Sequence, residues 1–558
     1  MTSDPRANRT AAEALVATLR VHGVDRIFCV PGESYLALLD ALHDEPAIQL
    51  VTCRHESGAG FMAVADAKLT GRPGVCLVSR APGAMNAAIA VHTAQQDAVP
   101  LLLLVGQVMR AERGRKALQE MDYRPTFGDA AKLVVEIDDP DQLAEVAARA
   151  LHVAQAGIPG PVVLSMPEDM QAELVRGGAA EPRPVPVVQP DPADIQAVAD
   201  AIAQARRPLL IAGHLIHSEA ERASLLRAAE RLRVPLAVSF RHQDIVDNRH
   251  PLFAAYLGYK IPKRQVAALA QADLVVAIGT RLGDITTQGF VFPRAPRPDQ
   301  RLIHVLPDPT ELGRVYQADH AILAAPARFV DALAALPPAL RSAEREAWIA
   351  QLADLRAGFA EWRDAPSSDG LTFGHLVHAL AHELPADAMI STDAGTFTTW
   401  LHRHFPFQAS HRLLAPISGA MGFGVPGAVA AGLREPGRVS IVLVGDGGYL
   451  MTGNELATAQ RYRVPIKIFL ADNGAYGSIR LNQEAAYPNR VIGTGLTSPD
   501  FVKLGEAFGA LAIGVARADE VEPAVARALA HPGAALVVVK SSLETTSAYT
   551  TLAAARQR

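Results

Sequence analysis

Two oxygen-bearing side chains, Asp446 and Asn473, each stand at the end of a short apolar run, and their placement is that of a metal site. Ser440-Ile-Val-Leu-Val444 is mostly β-branched and apolar without alternation, then breaks on Gly445-Asp446-Gly447-Gly448. That pattern predicts a buried parallel strand delivering a glycine turn to a helix. Ile466-Lys-Ile-Phe-Leu-Ala471 predicts a second strand, ending at Asp472-Asn473, so that Asn473 follows Asp446 by 27 positions. Neighbouring parallel strands ending this way put both oxygen ligands at the carboxyl edge of one sheet, where α/β proteins bind ligands. Mg2+ suits such ligands. A hard cation with few protein ligands shares its shell with phosphate oxygens, and Gly447 and Gly448 leave backbone N–H groups free at a helix N-terminus. Metal and amides together predict a bound diphosphate. A lone Gly-Asp-Gly would read more readily as an ordinary strand, turn and helix capped by Asp446.

The pattern is longer than that. Gly-Asp-Gly followed by Glu455-Leu-Ala-Thr-Ala459 and by Asn473-Gly-Ala-Tyr-Gly477 resembles the signature of thiamine diphosphate enzymes, and other segments resemble acetolactate synthases among them. The resemblance implies thiamine diphosphate and Mg2+ as cofactors, with Asp446, Asn473 and Ala475 as metal ligands and Gly447 and Gly448 beside the diphosphate. The usual Asn-Asn pair is Asp472-Asn473 here, a departure at the position that does not hold the metal. By the same resemblance Gly395 and Thr396, in Asp393-Ala-Gly-Thr-Phe397, contact the diphosphate. Within Ser418-Gly-Ala-Met-Gly-Phe-Gly424, the carbonyl of Gly419 receives the cofactor's exocyclic amine and Met421 wedges between its two rings, although a Met there would also serve as core packing.

In the other half of the chain, Arg54-His55-Glu56 matches the context of the family glutamate that hydrogen-bonds a ring nitrogen of the aminopyrimidine. Standing alone, Glu56 would read as a helix N-terminal acid. The cofactor must lose a carbon-bound proton to become a nucleophile. A carboxyl group in an apolar pocket has a raised pKa, shares a proton with the ring and favours the tautomer whose nitrogen acts as base; its loss is expected to cost roughly 10²- to 10⁴-fold. The charge-rich stretch from Met109 to Arg124 reads as a solvated loop or helix, but Leu118-Gln119-Glu120 resembles the Phe-Gln-Glu element of acetolactate synthases, whose glutamine lines the active site. Gln119 is the matching residue. Arg80 and Arg480 are candidates for a substrate carboxylate, against the commoner fate of an arginine as a surface or ion-paired residue.

Positioning these residues requires three α/β domains, each a doubly wound parallel sheet. Strands are expected at Arg26–Val30, Leu50–Cys53, Gly74–Ser79 and Pro100–Gly106, alternating with helices such as Thr10–His22. A pyrimidine-binding domain over residues 1–176 ends in Gly157-Ile-Pro-Gly-Pro-Val-Val-Leu-Ser165, and five prolines from Pro182 to Pro192 form an extended linker. A middle domain over 193–340 shows strands at Pro208–Gly213, Val234–Ser239, Ala272–Gly279 and Arg301–Val305, with a helix at Glu219–Leu232. It has no G-x-G-x-x-G after its first strand and the chain has no Walker A. Gly279-Thr-Arg-Leu-Gly-Asp284 only loosely resembles the FAD-holding segment of acetolactate synthases, so FAD is not favoured and a structural middle domain is preferred. After a boundary at Asp364–Gly370, a diphosphate-binding domain over 370–545 carries the metal motif and ends on the strand Ala535–Lys540. The last dozen residues are expected to be a mobile tail.

The bulk numbers suit this reading. At 558 residues, 49% hydrophobic and 20% charged with a net charge of −5, the chain shows neither a basic nucleic-acid surface nor a polybasic membrane patch. Cys29, Cys53 and Cys76 lack metal-ligand spacing and fit buried thiols of a reducing compartment. Residues 1–10 lack an apolar signal core and Leu101–Val105 is far too short to cross a bilayer, so a cytoplasmic location without membrane contact is expected. In the family, the glutamate and the metal motif meet across a subunit interface, which implies a homodimer or homotetramer. The reaction implied is decarboxylation of a small-molecule 2-oxo acid with carboligation, as in acetolactate synthases. The alternatives are simple 2-oxo acid decarboxylation, which usually brings a paired-histidine element not found here, and a non-catalytic cofactor-binding relative, which would be expected to lose Glu56, Asp446 or Asn473 first.

Overall fold

Long apolar runs without alternation require sheets buried on both faces, and the computed structural model contains three such sheets of six parallel strands. It describes residues 9–364 and 366–557. The expectations for residues 1–8, and for Ala365 within the second boundary, lie outside the described residues. In the first sheet the strands lie in the order Gln49–Thr52, Arg26–Cys29, Gly74–Val78, Leu101–Gln107, Pro161–Pro167 and Leu133–Glu136. In the third the order is Arg412–Leu414, Met389–Thr392, Ser440–Gly445, Lys467–Asp472, Ala535–Lys540 and Leu511–Val515. Counted along the chain, both run second, first, third, fourth, sixth, fifth, so the first and third sheets share one topology. The middle sheet differs. Its strands, Phe253–Tyr256, Leu236–Val238, Pro208–Ala212, Leu274–Ile278, Arg301–Leu306 and His320–Leu323, run third, second, first, fourth, fifth, sixth.

The described chain falls into two compact units. One takes the residues up to Pro186 together with Pro416–Pro436 and Leu450–Val464; the other takes Val187–Ala415, Gly437–Tyr449 and Pro465–Arg558. In the first unit the helix Glu56–Thr70 is built from small residues and lies between the helices Ala81–Asp97 and Gly424–Arg434. Gly60 makes the approach to Ala81–Asp97 close, since a methyl there would stand 2.5 Å from the Ala90 side chain. Charge fixes the other contact: Arg434 makes four hydrogen bonds of 2.8 Å to the carboxylates of Asp25 and Asp66, and Arg26 reaches Asp66 at 3.4 Å. The guanidinium beside it holds the Asp25 carboxyl well below the usual carboxylate range.

Several strand ends agree with the sequence reading to within a residue or two, and the helix Glu219–Leu232 agrees at both ends, its start closed by a Ser218–Glu221 capping box. No regular element occupies residues 176–191, and Pro192 opens a helix at its first position. The tail does not match its expectation. Leu552–Arg556 is a helix whose Leu552 and Ala555 pack with Leu481, while Arg556 pairs with Glu484, so apolar contact and charge dock it. All three cysteines are buried and free. Among the described residues no helix is long and apolar enough to cross a membrane.

Candidate functional site

In the third sheet the first and third strands, Met389–Thr392 and Ser440–Gly445, lie side by side, and the chain leaves them in opposite directions. This is the topological switch point where open α/β sheets bind ligands. Asp393 to Thr396 emerge from one strand and Asp446 from the other. The helix begins at Asp446 itself, so Gly447 and Gly448 form its first turn and not a separate loop. Asp446 is buried; its Oδ1 accepts the Gly447 N–H at 2.8 Å, and its Oδ2 accepts the N–H groups of Asn473 at 3.2 Å and Gly474 at 2.7 Å. The Gly447 N–H, expected to be free, thus has an acceptor in Asp446. Burial pushes the Asp446 carboxyl above the ordinary carboxylate range, and the three amides offset part of that rise.

Asn473 follows directly on the strand Lys467–Asp472, and its Oδ1 accepts the Ala475 N–H at 3.1 Å while Gly474 turns the chain at φ +65°. Ala475 bridges to Gly495, and Leu496 N–H donates to Gly474 O at 2.7 Å, so residues 494–496 line the outside of this loop. The glycines of the first turn allow close approach. A Cβ on Gly447 would stand 2.6 Å from the Tyr476 ring, and one on Gly448 would overlap Oδ2 of the fully buried Asp393. The departure at Asp472 is compensated by charge: Lys540, its partner on the next strand, pairs with the carboxylate, and the Ser498 hydroxyl donates to it at 2.6 Å.

Asp446, Asn473 and the peptide oxygens around Ala475 are an all-oxygen donor set with two side chains, which fits Mg2+ completing its shell on phosphate oxygens. No group of three or more His, Cys, Asp or Glu among the described residues could hold a metal. Thr396 gives its N–H to Ser478 Oγ at 2.8 Å and shares a 2.9 Å hydroxyl contact with Thr546, and Gly395 sits where a Cβ would stand 2.5 Å from the Phe397 ring. Thr396 also lines a cavity of about 1290 Å³ that carries Lys260, Lys263, Arg264 and Arg403 and, among the described residues, no carboxylate.

The other candidates belong to the first unit. Glu56 is the first residue of its helix, capped by the His55 ring, and its Oε2 accepts from Asn86 Nδ2 at 2.9 Å. Its carboxylate thus meets an amide, where an apolar pocket was expected. Gly83 leaves room beside it, because a Cβ there would lie 3.3 Å from Glu56 Oε1. Gln119 is exposed on a residue with φ +67°, and its carbonyl accepts the Ala81 N–H at 3.3 Å, which ties its loop to the Ser79-Arg80-Ala81-Pro82 turn. Arg80 pairs with Glu168 and Arg480 with Glu484, so neither is an uncommitted anion receptor.

Gly419 has φ +71°, which only glycine adopts without strain, and is exposed; Met421 is half-buried. Buried Asp97, paired with Lys68, holds their loop by accepting the N–H groups of Ile417 at 2.7 Å and Ser418 at 3.3 Å. Asn86, Asp97 and Glu455 were assigned no role from the sequence. Each acts on a partner far away in the chain, and nothing local marks such a pairing.

Family models for thiamine pyrophosphate enzymes match the chain in three places: the N-terminal TPP binding domain over residues 9–125, the central domain over 195–333 and the C-terminal TPP binding domain over 393–539. The chain is 32% identical to an acetolactate synthase large subunit of Parasynechococcus marenigrum, covering 95% of this chain and 87% of that protein. It is 30% identical to the acetolactate synthase isozyme 2 large subunit of Escherichia coli, covering 95% of each. A solved thiamine diphosphate-dependent 4-hydroxybenzoylformate decarboxylase of Rhodococcus jostii superposes with a TM-score of 0.82 at 24% identity, over 96% of this chain and all of that one, a likeness of fold.

Proposed function

The chain belongs to the thiamine pyrophosphate enzymes and is acetolactate synthase-like, and from that premise we propose that it decarboxylates a 2-oxo acid and transfers the remaining carbon unit to an acceptor carbonyl, using thiamine diphosphate and Mg2+. The observation that carries the proposal is the joining of Asp446 and Asn473 at the switch point of the third sheet, where two strands end in one oxygen-rich loop.

When bound, thiamine diphosphate would supply a carbon nucleophile for the 2-oxo carbonyl and an electron sink for decarboxylation. Asp446, Asn473 and Ala475 would hold the metal, with Gly447, Gly448, Gly395 and Thr396 beside the diphosphate. Gly419 O would accept the exocyclic amine, and Met421 would keep the two rings bent. Glu56 would hold a proton at Oε1 for the pyrimidine nitrogen while Asn86 Nδ2 occupies Oε2. Gln119 would face the substrate. Lysines and arginines without a carboxylate in the cavity beside Thr396 favour an anionic 2-oxo acid.

Glu56 would serve the metal site of a second copy, in a homodimer or homotetramer. Met85 and Ile89, exposed four residues apart on the helix that carries Asn86, supply apolar surface for that association. The middle domain is structural in this reading, FAD carries no step, and the protein works in the cytoplasm. The test is proton NMR of products after incubation with pyruvate, thiamine diphosphate and Mg2+. Acetolactate that falls roughly 10²- to 10⁴-fold in Glu56→Gln supports carboligation; decarboxylation to acetaldehyde alone refutes it.

A further inference from the structure

We infer that Glu455 is a positioning residue for Glu56, an inference that rests on the role of Glu56 proposed above. Glu455 is fully buried. Its Oε1 accepts the backbone N–H groups of both Arg54 and His55 at 3.0 Å, and its Oε2 accepts the Arg54 N–H at 3.2 Å and the Thr458 hydroxyl at 2.5 Å. Those two amides lie between the end of the strand Gln49–Thr52 and the start of the helix Glu56–Thr70, so neither the ladder nor the helix supplies them with an acceptor. Without Glu455 both would be left unpaired in a part-buried turn, and the turn is what sets the direction in which Glu56 leaves the sheet.

The surroundings are built for the ionised carboxylate. All three of its partners act as donors, and a proton on either oxygen would meet none of them as an acceptor unless the Thr458 hydroxyl reversed. Burial pushes its pKa up and the donors pull it back. Gly58, in the first turn of the Glu56 helix, makes room for it, because a Cβ there would overlap Glu455 Oε1. The same segment grips the strand end as well: the Tyr462 hydroxyl accepts the Thr52 N–H at 2.8 Å and donates to Leu50 O at 3.2 Å. Glu56 is thus fixed twice, through the backbone of the two residues before it by Glu455 and through its side chain by Asn86.

The test uses full-length protein loaded with thiamine diphosphate and Mg2+ and reads deuterium exchange at the cofactor's thiazolium carbon by quenched-flow NMR, alongside cofactor Kd and Tm. Glu455→Ala is expected to slow exchange about 10²-fold, the scale of a misplacement near 1 Å, while cofactor Kd changes less than about threefold. Glu455→Gln keeps an amide oxygen for the Arg54 and His55 N–H groups and is expected to recover to within about tenfold of wild type. Gly58→Ala is expected to slow exchange too, although alanine is the better helix former. Wild-type exchange in Glu455→Ala, or in Gly58→Ala should the first variant not fold, overturns the inference. Glu56→Gln separates the two levels. Slow exchange there with normal exchange in Glu455→Ala refutes only the positioning role, whereas normal exchange in Glu56→Gln removes the role of Glu56 and this inference with it.

Discussion

Replacing Gly448 by alanine tests whether the first turn after Asp446 is shaped for close approach. In an ordinary helix this change is stabilising by up to about 1 kcal/mol. Here the added methyl would lie closer than 3.0 Å to Asp393 Oδ2 and 3.2 Å from its Cγ, with Val444 at 3.6 Å behind it. Asp393 is fully buried at the end of Met389–Thr392 and cannot swing into solvent, so the helix turn must move instead. Overpacking of that kind costs about 1–3 kcal/mol, which against the full helix-propensity gain leaves a net loss of up to about 2 kcal/mol. The displaced turn carries Asp446, whose Oδ2 is held by Asn473 and Gly474, and a charge-assisted hydrogen bond of that set is worth about 1.5–3 kcal/mol. Loss of one such interaction predicts a rise of about ten- to a hundredfold in the Kd of Mg2+–thiamine diphosphate by titration calorimetry. Gly437→Ala, where a methyl meets nothing within 4 Å, is the control and is expected to bind as wild type. Equal Kd values for Gly448→Ala and Gly437→Ala would refute the reasoning.

Other expectations rest on separate contacts. Arg434→Met leaves buried Asp66 with only its 3.4 Å contact to Arg26, and is expected to lower unfolding stability by about 3–5 kcal/mol in urea denaturation; a change under about 1 kcal/mol would contradict it. His402 is buried, stacked on Tyr256 at 4.7 Å and bonded through Nδ1 to Gln243 Oε1 at 2.7 Å, and burial lowers its pKa to about 3. Because the folded pKa lies below that of the unfolded chain, its contribution is complete above about pH 6.5 and is lost toward acid, at about 1.4 kcal/mol per pH unit. His402→Gln is therefore expected to flatten the fall in Tm between about pH 6.5 and about pH 5, and an unchanged slope would exclude the effect. Leu552→Ala should release the C-terminal helix from Leu481, seen as faster amide exchange in Leu481–Ala486 with the rest of the chain unaffected; protection unchanged at those amides would mean that the helix does not dock there.

Which parts were legible in the sequence follows from burial. Central strands such as Ser440–Gly445, Leu274–Ile278 and Ala535–Lys540 are buried on both faces and read as unbroken apolar runs. The strands without a sequence signal are edge strands. Leu133–Glu136, His320–Leu323 and Leu511–Val515 are only partly buried, and Arg412–Leu414 has three residues, so none presents a long apolar run. Phe253–Tyr256 is buried but holds two alanines and no β-branched residue. The loop that joins Asp446 and Asn473 was legible because each of them stands at the end of such a central strand. The support of Glu56 was not, because Glu455 meets Arg54 across 401 positions and no local pattern encodes that distance. The ion pairs of Arg80 and Arg480 were hidden differently: Glu168 is remote in sequence, whereas Glu484 lies one helical turn from Arg480 and could have been read from the i, i+4 spacing.

In the proposed function Asp446 holds the cofactor through a metal and Glu56 activates it. Titrating thiamine diphosphate into wild type, Asp446→Ala and Glu56→Gln, each with and without Mg2+, while following 2-oxo acid consumption, separates the two roles. Saturable binding that requires Mg2+ is expected in wild type, loss of that binding in Asp446→Ala, and retained binding with roughly 10²- to 10⁴-fold slower turnover in Glu56→Gln. Binding by wild type that is indifferent to Mg2+, or by Asp446→Ala with unchanged Kd, would contradict the proposed function.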